Sequence, residues 1–442
     1  MNNIISINKK INNFNKKIEV EGDKSLSIRW ALLASQAKGK SKAYNLLNSD
    51  DVRSTINCLK KLGIKIHLKK NFCEIYGCGI NGFKFKKNLT LNAGNSGTLA
   101  RLILALLIRS PYKIKLIGDN SLSRRDFSRI IDPLKKFGAN FYPTNRTQLP
   151  LYIIGSNFIK PIKYFENKGS AQCKSSVMLA ALNAKGTTYI KAKKSRNHSE
   201  IIFKYLKIPI KTKNKKNHDL IKIEGQKNFN SFNYKIPSDI SSSAFFIVLT
   251  LLSDNSSLEI KNVNVNPTRT GVLKILKKMG AKITLKNKKI NKGEAVADIY
   301  VESAKKLKAI NCSSNLNTSA IDEFLIIFLV AAKAKGISYF KNLSELNQKE
   351  SPRLKLGSKI LNMMGVKTEL TNSSIKIYGQ PNLVINKKLI IKDYFKDHRI
   401  FMMTAIAALT FGGNWKIANA DSISTSFPTF LKIIKKLGGE IK

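Results

Sequence analysis

Long apolar runs are missing from this chain of 442 residues: none reaches the roughly 18 positions that a membrane-spanning helix needs, so no span is expected. Cysteine is sparse. Cys58, Cys73, Cys78, Cys173 and Cys312 form no C-x-x-C pair and are too few for a disulfide framework. Buried or neutral thiols are therefore expected, and no metal site. The stretch Met1 to Lys17 is rich in Asn and Lys and lacks the apolar centre of a signal peptide. Its basic, acid-poor character weakly resembles a transit peptide, but ordered-looking motifs begin at Gly22 and leave little room for a removable leader. The cytoplasm is the expected location. Acids are few as well, 28 against 78 lysines and arginines, and arginine itself is scarce, with 12 residues against 66 lysines.

What is present is an ordinary globular share of hydrophobic residues, 43%, on a chain long enough for two domains of about 200 residues each. The formal net charge is +50. Such a balance points to anionic partners, nucleic acid among them. A nucleic-acid surface, however, requires clustered cations with aromatic platforms, and the lysines here are spread along the whole chain. Lys, Asn and Ile abound together, as an AT-rich codon bias would produce, so most lysines are expected to be solvated while their field steers anions inward. Arginine carries more information. A chain that mostly uses Lys still places Arg at Arg29, Arg53, Arg101, Arg125, Arg196, Arg269, Arg353 and Arg399, and only Arg offers a planar fork for phosphate or carboxylate.

One phrase recurs. It reads Leu59-Lys-Lys-Leu-Gly63, Leu134-Lys-Lys-Phe-Gly138, Leu276-Lys-Lys-Met-Gly280, Leu361-Asn-Met-Met-Gly365 and Ile434-Lys-Lys-Leu-Gly438, with a weaker copy at Leu206-Lys-Ile-Pro209. Lysines in a last helical turn complement the dipole, and Gly supplies the left-handed residue that ends the helix. The glycines lie 75, 142, 85 and 73 residues apart, so six units of roughly 70 residues fill the chain. Apolar helical stretches (98–108, 176–182, 321–332) alternate with strand-like runs (113–117, 338–340). Three α/β units in each of two domains is the architecture this implies. The Asn- and Lys-rich stretch 212–236 reads as the end of the first half.

Several motifs place polar and cationic groups before helices. Gly22-Asp-Lys24-Ser25-Leu-Ser-Ile-Arg29 precedes a helix expected over 30–37, and Gly94-Asn-Ser-Gly97-Thr98 with Arg101 precedes another. Such helix starts bind anions through backbone N–H groups, although each alone is equally an ordinary helix cap. Gly118 to Arg125, Ser170-Ala171-Gln172, Pro237 to Ser243 and Asn266 to Gly271 repeat the theme. Asp322-Glu323, Lys349-Glu350-Ser351-Pro352-Arg353 and Asp397-His398-Arg399 mix acids with cations, which suits proton transfer beside a phosphorylated substrate; singly, each could be a surface ion pair.

In this order, from Gly22 to Phe427-Pro428, the motifs resemble the 5-enolpyruvylshikimate-3-phosphate synthase (3-phosphoshikimate 1-carboxyvinyltransferase) family over essentially the whole chain. The resemblance implies an inside-out α/β fold. It has two domains, 21–236 on the shikimate 3-phosphate side and 1–20 with 237–442 on the phosphoenolpyruvate side. Each is built of three βαβαββ units, with the active site in the interdomain cleft. It implies transfer of the enolpyruvyl group of phosphoenolpyruvate to the 5-hydroxyl of shikimate 3-phosphate, with phosphate released, in the cytoplasmic shikimate pathway to chorismate and aromatic amino acids. Lys24, Ser25, Arg29, Ser170, Ala171, Gln172, Ser195, Arg196, Asp322 and Lys349 would bind shikimate 3-phosphate. Lys24, Gly97, Arg125, Gln172, Arg353 and Arg399 would bind phosphoenolpyruvate. Asp322 would be the base and Glu350 the proton donor, with Lys24 and Lys349 beside them. No cofactor, metal, nucleic-acid or membrane partner is implied, and a monomer is expected. The chain departs from the family at Glu21 and Asp126, where Pro is usual, at Pro352, where Asp is usual, and at Thr425, where many members carry Lys. The sister transferase acting on UDP-N-acetylglucosamine differs in having a Lys-Asn first motif and a reactive loop cysteine; here Lys24-Ser25 stands with Arg29 and no cysteine lies near residues 110–125.

Overall fold

Three helices, Lys24–Gln36, Gly97–Leu106 and Ala171–Ala181, are apolar or small on nearly every face and buried along most of their length. Ile240–Leu252, Phe324–Lys333 and His398–Phe411 repeat the pattern. A helix that is hydrophobic all round cannot lie on a surface and has to be enclosed. The computed structural model, which describes residues 3–442, encloses each set of three in its own hydrophobic core, and the two cores share no residue. Within each set the helices pack on one another.

The sheets lie outside them. In one, the strands Thr90–Asn92 and Ile114–Ile117 are parallel (Leu91 opposite Leu116), Leu151–Ile154 is antiparallel to the second, and Asn140–Tyr142 closes the edge. The same order recurs in five four-stranded sheets, and a sixth sheet has three strands among the described residues. In that last sheet Ile5–Ile7 pairs with Asn414–Ile417, and Ser6 exchanges backbone hydrogen bonds of 2.7 and 3.0 Å with Lys442, so the end of the chain occupies the fourth place. This is the inside-out α/β arrangement of repeated βαβαββ units.

Contacts divide the chain into two compact units. One comprises the residues up to Glu21 with Pro237–Ile290 and Ala295–Lys442; the other is Gly22–Ile236 with Asn291–Glu294. The passages follow one rule. The strand Asn15–Ile18 pairs in the first-named unit, yet the helix it leads into, Lys24–Gln36, belongs to the second. The strand Asn233–Lys235 pairs with Lys38–Tyr44 in the second, and its following helix, Ile240–Leu252, belongs to the first. The first two residues of the expected 1–20 span lie outside the described residues.

The structure moves several expected boundaries. The first helix starts at Lys24, not at residue 30, because Asp23 caps it by accepting from the Leu26 N–H at 2.9 Å. The polar first motif therefore forms the opening turns of the helix. Ser170 caps its helix five residues earlier than the apolar pattern suggests, at Ala171, and the helix expected from residue 321 begins at Phe324. The stretch 212–236 holds most of Ile210–Asn214 together with the strands His218–Glu224 and Asn233–Lys235. The recurrent glycines behave as read, with φ between 87° and 120° at Gly63, Gly138, Gly280, Gly365 and Gly438, and Lys207 takes that role in the weak copy at φ 55°. Among the described residues no helix is long and apolar enough to cross a membrane. Burial pushes the thiols of Cys58 and Cys312 up to about 11 and that of Cys73 to about 12, so they stay neutral.

The helix-ending glycines differ in what surrounds them. A Cβ at Gly365 would meet nothing within 4 Å, whereas at Gly63 it would meet the Lys84 carbonyl oxygen at 2.2 Å. Gly365→Ala should therefore cost only the left-handed strain, about 1–2 kcal/mol, and Gly365→Asn less. Both substitutions at Gly63 should cost more, and denaturant unfolding of the four variants reads the ranking.

Candidate active site

The residues singled out by the sequence lie at the starts of helices and in the loops that lead into them, and each unit holds its own group. In the unit of residues 22–236, Arg29 is 5% exposed and fixed on three sides. It donates to the Ser25 carbonyl at 3.2 Å, to Ser199 Oγ at 3.0 Å and to Ser175 Oγ at 3.1 Å. The two hydroxyls bond one another at 2.7 Å. Lys24 Nζ lies 3.0 Å from Asp51. Ser170 caps the helix Ala171–Ala181 through the Cys173 N–H, and the loop before it is pinned by buried Glu166, which accepts from Lys168 N, Gly169 N and Arg129.

Gln172 joins two of the helix starts: its Nε2 donates to Thr98 Oγ1 at 2.9 Å, and its Oε1 accepts from Arg101 at 2.8 Å. The Arg101 guanidinium lies over the Phe127 ring at 5.2 Å. Arg125 donates to Asn95 Oδ1 at 3.4 Å. A Cβ at Gly97 would come within 2.8 Å of both Arg101 and Arg125, so the glycine makes room for two guanidinium groups. Ser195 is buried and Arg196 half-buried, just before the helix His198–Tyr205. Cations, hydroxyls and helix N-termini of this kind suit phosphate binding.

In the other unit the group is built on Arg353, which is 1% exposed. Its fork takes Asp397 in two bonds, Nε to Oδ2 at 2.8 Å and Nη2 to Oδ1 at 3.1 Å. Glu350 stands 2.5 Å from Nη2 and Asp322 3.7 Å from Nη1. Lys349 Nζ is 3.5 Å from Asp322, and Arg399 donates to the Asp322 carbonyl at 2.8 Å. Asp397 also caps its own helix through Arg399 N and accepts from Ser351 Oγ at 2.7 Å. Burial alone would push the Asp397 carboxyl up, but the Arg353 guanidinium outweighs it and holds the group below its ordinary value. A second buried network, Arg269 with Asp239 and Ser241 and Ser241 with Glu323, ties the start of Ile240–Leu252 to that of Phe324–Lys333.

The structure thus groups Lys24, Ser25, Arg29, Gly97, Arg125, Ser170, Ala171, Gln172, Ser195 and Arg196 in one unit, and Asp322, Lys349, Glu350, Arg353 and Arg399 in the other. Asp51, Arg101, Ser175, Ser199 and Asp397 join them without having been assigned a role from the sequence. The scarcity of arginine pointed to Arg101, and the N-cap position of Asp397 was visible before its apolar helix; nothing local marks Asp51 or the two serines. At the departures, Thr425 Oγ1 lies 3.3 Å from His398 Nδ1 and donates to the Ser422 carbonyl. Glu21, whose carboxyl burial pushes up, accepts from the Thr429 hydroxyl at 2.9 Å. Asp126 accepts from the backbone and hydroxyl of Ser128, and Pro352 precedes Arg353 at the helix start. Among the described residues no group of three His, Cys, Asp or Glu side chains could hold a metal.

A family model described as EPSP synthase (3-phosphoshikimate 1-carboxyvinyltransferase) matches residues 8–434. The chain is 39% identical over 425 residues to a 3-phosphoshikimate 1-carboxyvinyltransferase of Vesicomyosocius okutanii, covering 96% of this chain and 95% of the relative. It is 40% identical over 423 residues to that of Streptococcus pyogenes serotype M2, covering 95% and 96%. The solved EPSP synthase of Acinetobacter baumannii superposes with a TM-score of 0.87 at 32% identity, over 100% of this chain and 99% of that one. The enolpyruvyl transferase NikO of Streptomyces tendae, at 13% identity and a TM-score of 0.78 over 99% of this chain and 98% of its own, shares the fold.

The Arg353–Asp397 pair carries a stability consequence. Because the folded-state pKa of Asp397 is depressed, its contribution is complete above the ordinary value of 3.8 and is lost as pH falls through the lowered one. Asp397→Asn should destabilise the protein by about 3–5 kcal/mol at neutral pH, as breaking a buried pair does. It should also flatten the loss of stability at acid pH, and thermal unfolding from pH 7 down to pH 3 measures both.

Proposed function

The chain belongs to the EPSP synthase family, and from that premise we propose how its residues divide the work of 3-phosphoshikimate 1-carboxyvinyl transfer. The activity is that of the shikimate pathway: phosphoenolpyruvate and shikimate 3-phosphate are joined and phosphate leaves. The observation that carries the assignment of roles is the grouping of two carboxylates, Asp322 and Glu350, around the buried guanidinium of Arg353, with Lys349 against Asp322.

Shikimate 3-phosphate is held by Lys24, Ser25 and Arg29, by Ser170, Ala171 and Gln172, and by Ser195 and Arg196. Arg29 is already oriented by hydroxyl and carbonyl oxygens. Phosphoenolpyruvate is held by Arg125, Arg353 and Arg399, with Gly97 leaving space, Gln172 adding a hydrogen bond and Lys24 touching both substrates. Preformed forks fix two multiply charged substrates in attack geometry.

Asp322, flanked by Lys349 and Arg353, accepts the proton of the 5-hydroxyl. Glu350 protonates the methylene carbon of the enol. Its present partner is Arg353, and an arriving phosphoenolpyruvate dianion competes for that guanidinium. Glu350 then gives up its ion pair and can carry the proton it must donate. Attack on the cationic C2 forms a tetrahedral adduct, which loses phosphate and a methyl proton. Thr425 brings no cation to this side, so its arginines carry the charge. The enzyme works in the cytoplasm as a monomer, without a metal or organic cofactor.

Phosphate release should require both substrates; if omitting shikimate 3-phosphate left it unchanged, the reading fails. Asp322→Asn and Glu350→Gln should each lower kcat by about 10²-fold with unchanged unfolding midpoints. Given the net charge of +50, KM for both anionic substrates should rise as salt is increased from low ionic strength, a trend that steady-state assays follow directly.

A further inference from the structure

Four residues of the second half of the sequence fold with the first. The strands Ile283–Asn291 and Glu294–Glu302 form a hairpin whose tip, Asn291–Glu294, belongs to the compact unit of Gly22–Ile236. The tip is held throughout. Asn291 Nδ2 donates to the Lys235 carbonyl at 3.0 Å. Lys292 donates to Tyr205 Oη at 2.8 Å and to the Asn233 carbonyl, and its ammonium lies 5.0 Å from the Tyr205 ring centre. Gly293 has φ +89°, and a Cβ there would come within 2.8 Å of Ile201 Cγ2.

Glu294 goes deepest. It is 0% exposed, and its Oε1 lies 2.6 Å from Nδ1 of His198, itself 1% exposed. A lone core histidine with a satisfied ring needs no functional explanation. This ring, however, is the first residue of the helix His198–Tyr205 and stands two positions after Arg196. Asn197 gives that helix no side-chain cap. Its first turn is instead fixed by three contacts: His198 to Glu294, Ser199 to Arg29, and Glu200 to Lys174 at 2.6 Å. Two of the three come from shikimate-side helices of the same unit, and the third from the hairpin tip.

We propose that Glu294, acting through His198, is a positioning residue for the shikimate 3-phosphate site: it sets the backbone that presents Ser195 and Arg196 to the phosphate. This rests on the reading above that these two residues bind that phosphate. Whichever partner carries the proton, the bond fixes the imidazole and with it the start of the helix. Glu294 touches no substrate, so its influence appears in the affinity for one substrate and not in the chemistry.

The test compares Glu294→Ala, Glu294→Asp and Glu294→Gln with Arg196→Ala. Steady-state kinetics, calorimetric binding of shikimate 3-phosphate alone and thermal unfolding are measured on the full chain. Glu294→Ala should raise KM and Kd for shikimate 3-phosphate about 10-fold, with kcat and KM for phosphoenolpyruvate changing less than about twofold. Glu294→Gln keeps an acceptor oxygen for Nδ1 and should recover most of the affinity. Should the alanine variant fail to fold, Glu294→Asp, one methylene shorter, carries the same split at about threefold. A lowered unfolding midpoint with unchanged affinity, or parallel changes in kcat and both KM values, would overturn the proposal. If Arg196→Ala weakens shikimate 3-phosphate binding and the Glu294 variants do not, the positioning role alone is wrong. If Arg196→Ala has no effect, the reading of the phosphate segment falls first.

Discussion

Enclosing a helix on every side leaves its ends as the only places where it can be polar. A buried helix start presents up to four N–H groups with no partner inside the helix, and leaving them dry costs more than most packing gains. Here five of the six starts carry side-chain caps, Asp23, Ser96, Ser170, Asp239 and Asp397, and the sixth follows Glu323 without one. The same ends carry the positive pole of each helix. Helix starts are thus where the fold already has to place polar groups, and these are the places that suit anions.

The two groups solve the burial of a guanidinium in different ways. Arg29 donates to two serine hydroxyls and a carbonyl, which orient its fork. Arg353 is held by Asp397 in a two-point ion pair and approached by Glu350 and Asp322. Neutral ligands suit a site that only binds an anion. Carboxylates suit a site where protons change hands, because the incoming anion rearranges which acid is ion-paired.

Much of this was legible in the residues, for a physical reason. The Leu-Lys-Lys-Leu-Gly phrase records a local requirement, the left-handed end of a helix, and its sixfold recurrence disclosed the repeat. Lys24, Gln172, Arg353 and Arg399 were legible because they stand in motifs whose order is distinctive. What stayed hidden depends on contacts distant in sequence. Asp51 is an ordinary first-turn acid until Lys24 meets it. Ser175 and Ser199 look like small core residues until Arg29 fills the space between them. The start of the first helix was misplaced because a run of polar residues hid the cap at Asp23. No periodicity announces that Asn291–Glu294 folds with a different unit from the strands on either side of it.

The pairing of Ser6 with Lys442 has a temporal side. On the ribosome the strand Ile5–Ile7 emerges about 400 residues before its neighbours, Asn414–Ile417 and the residues through Lys442. Until then its apolar residues, Ile5 and Ile7, have no sheet to join. The unit of Gly22–Ile236 can gather its core early in synthesis and lacks only the short hairpin tip. The other unit waits for Asn414–Lys442, with the strand Ile5–Ile7 unpaired on that side in the meantime. Domains form in order of completion, so the unit of Gly22–Ile236 can fold while the other still awaits its closing strand.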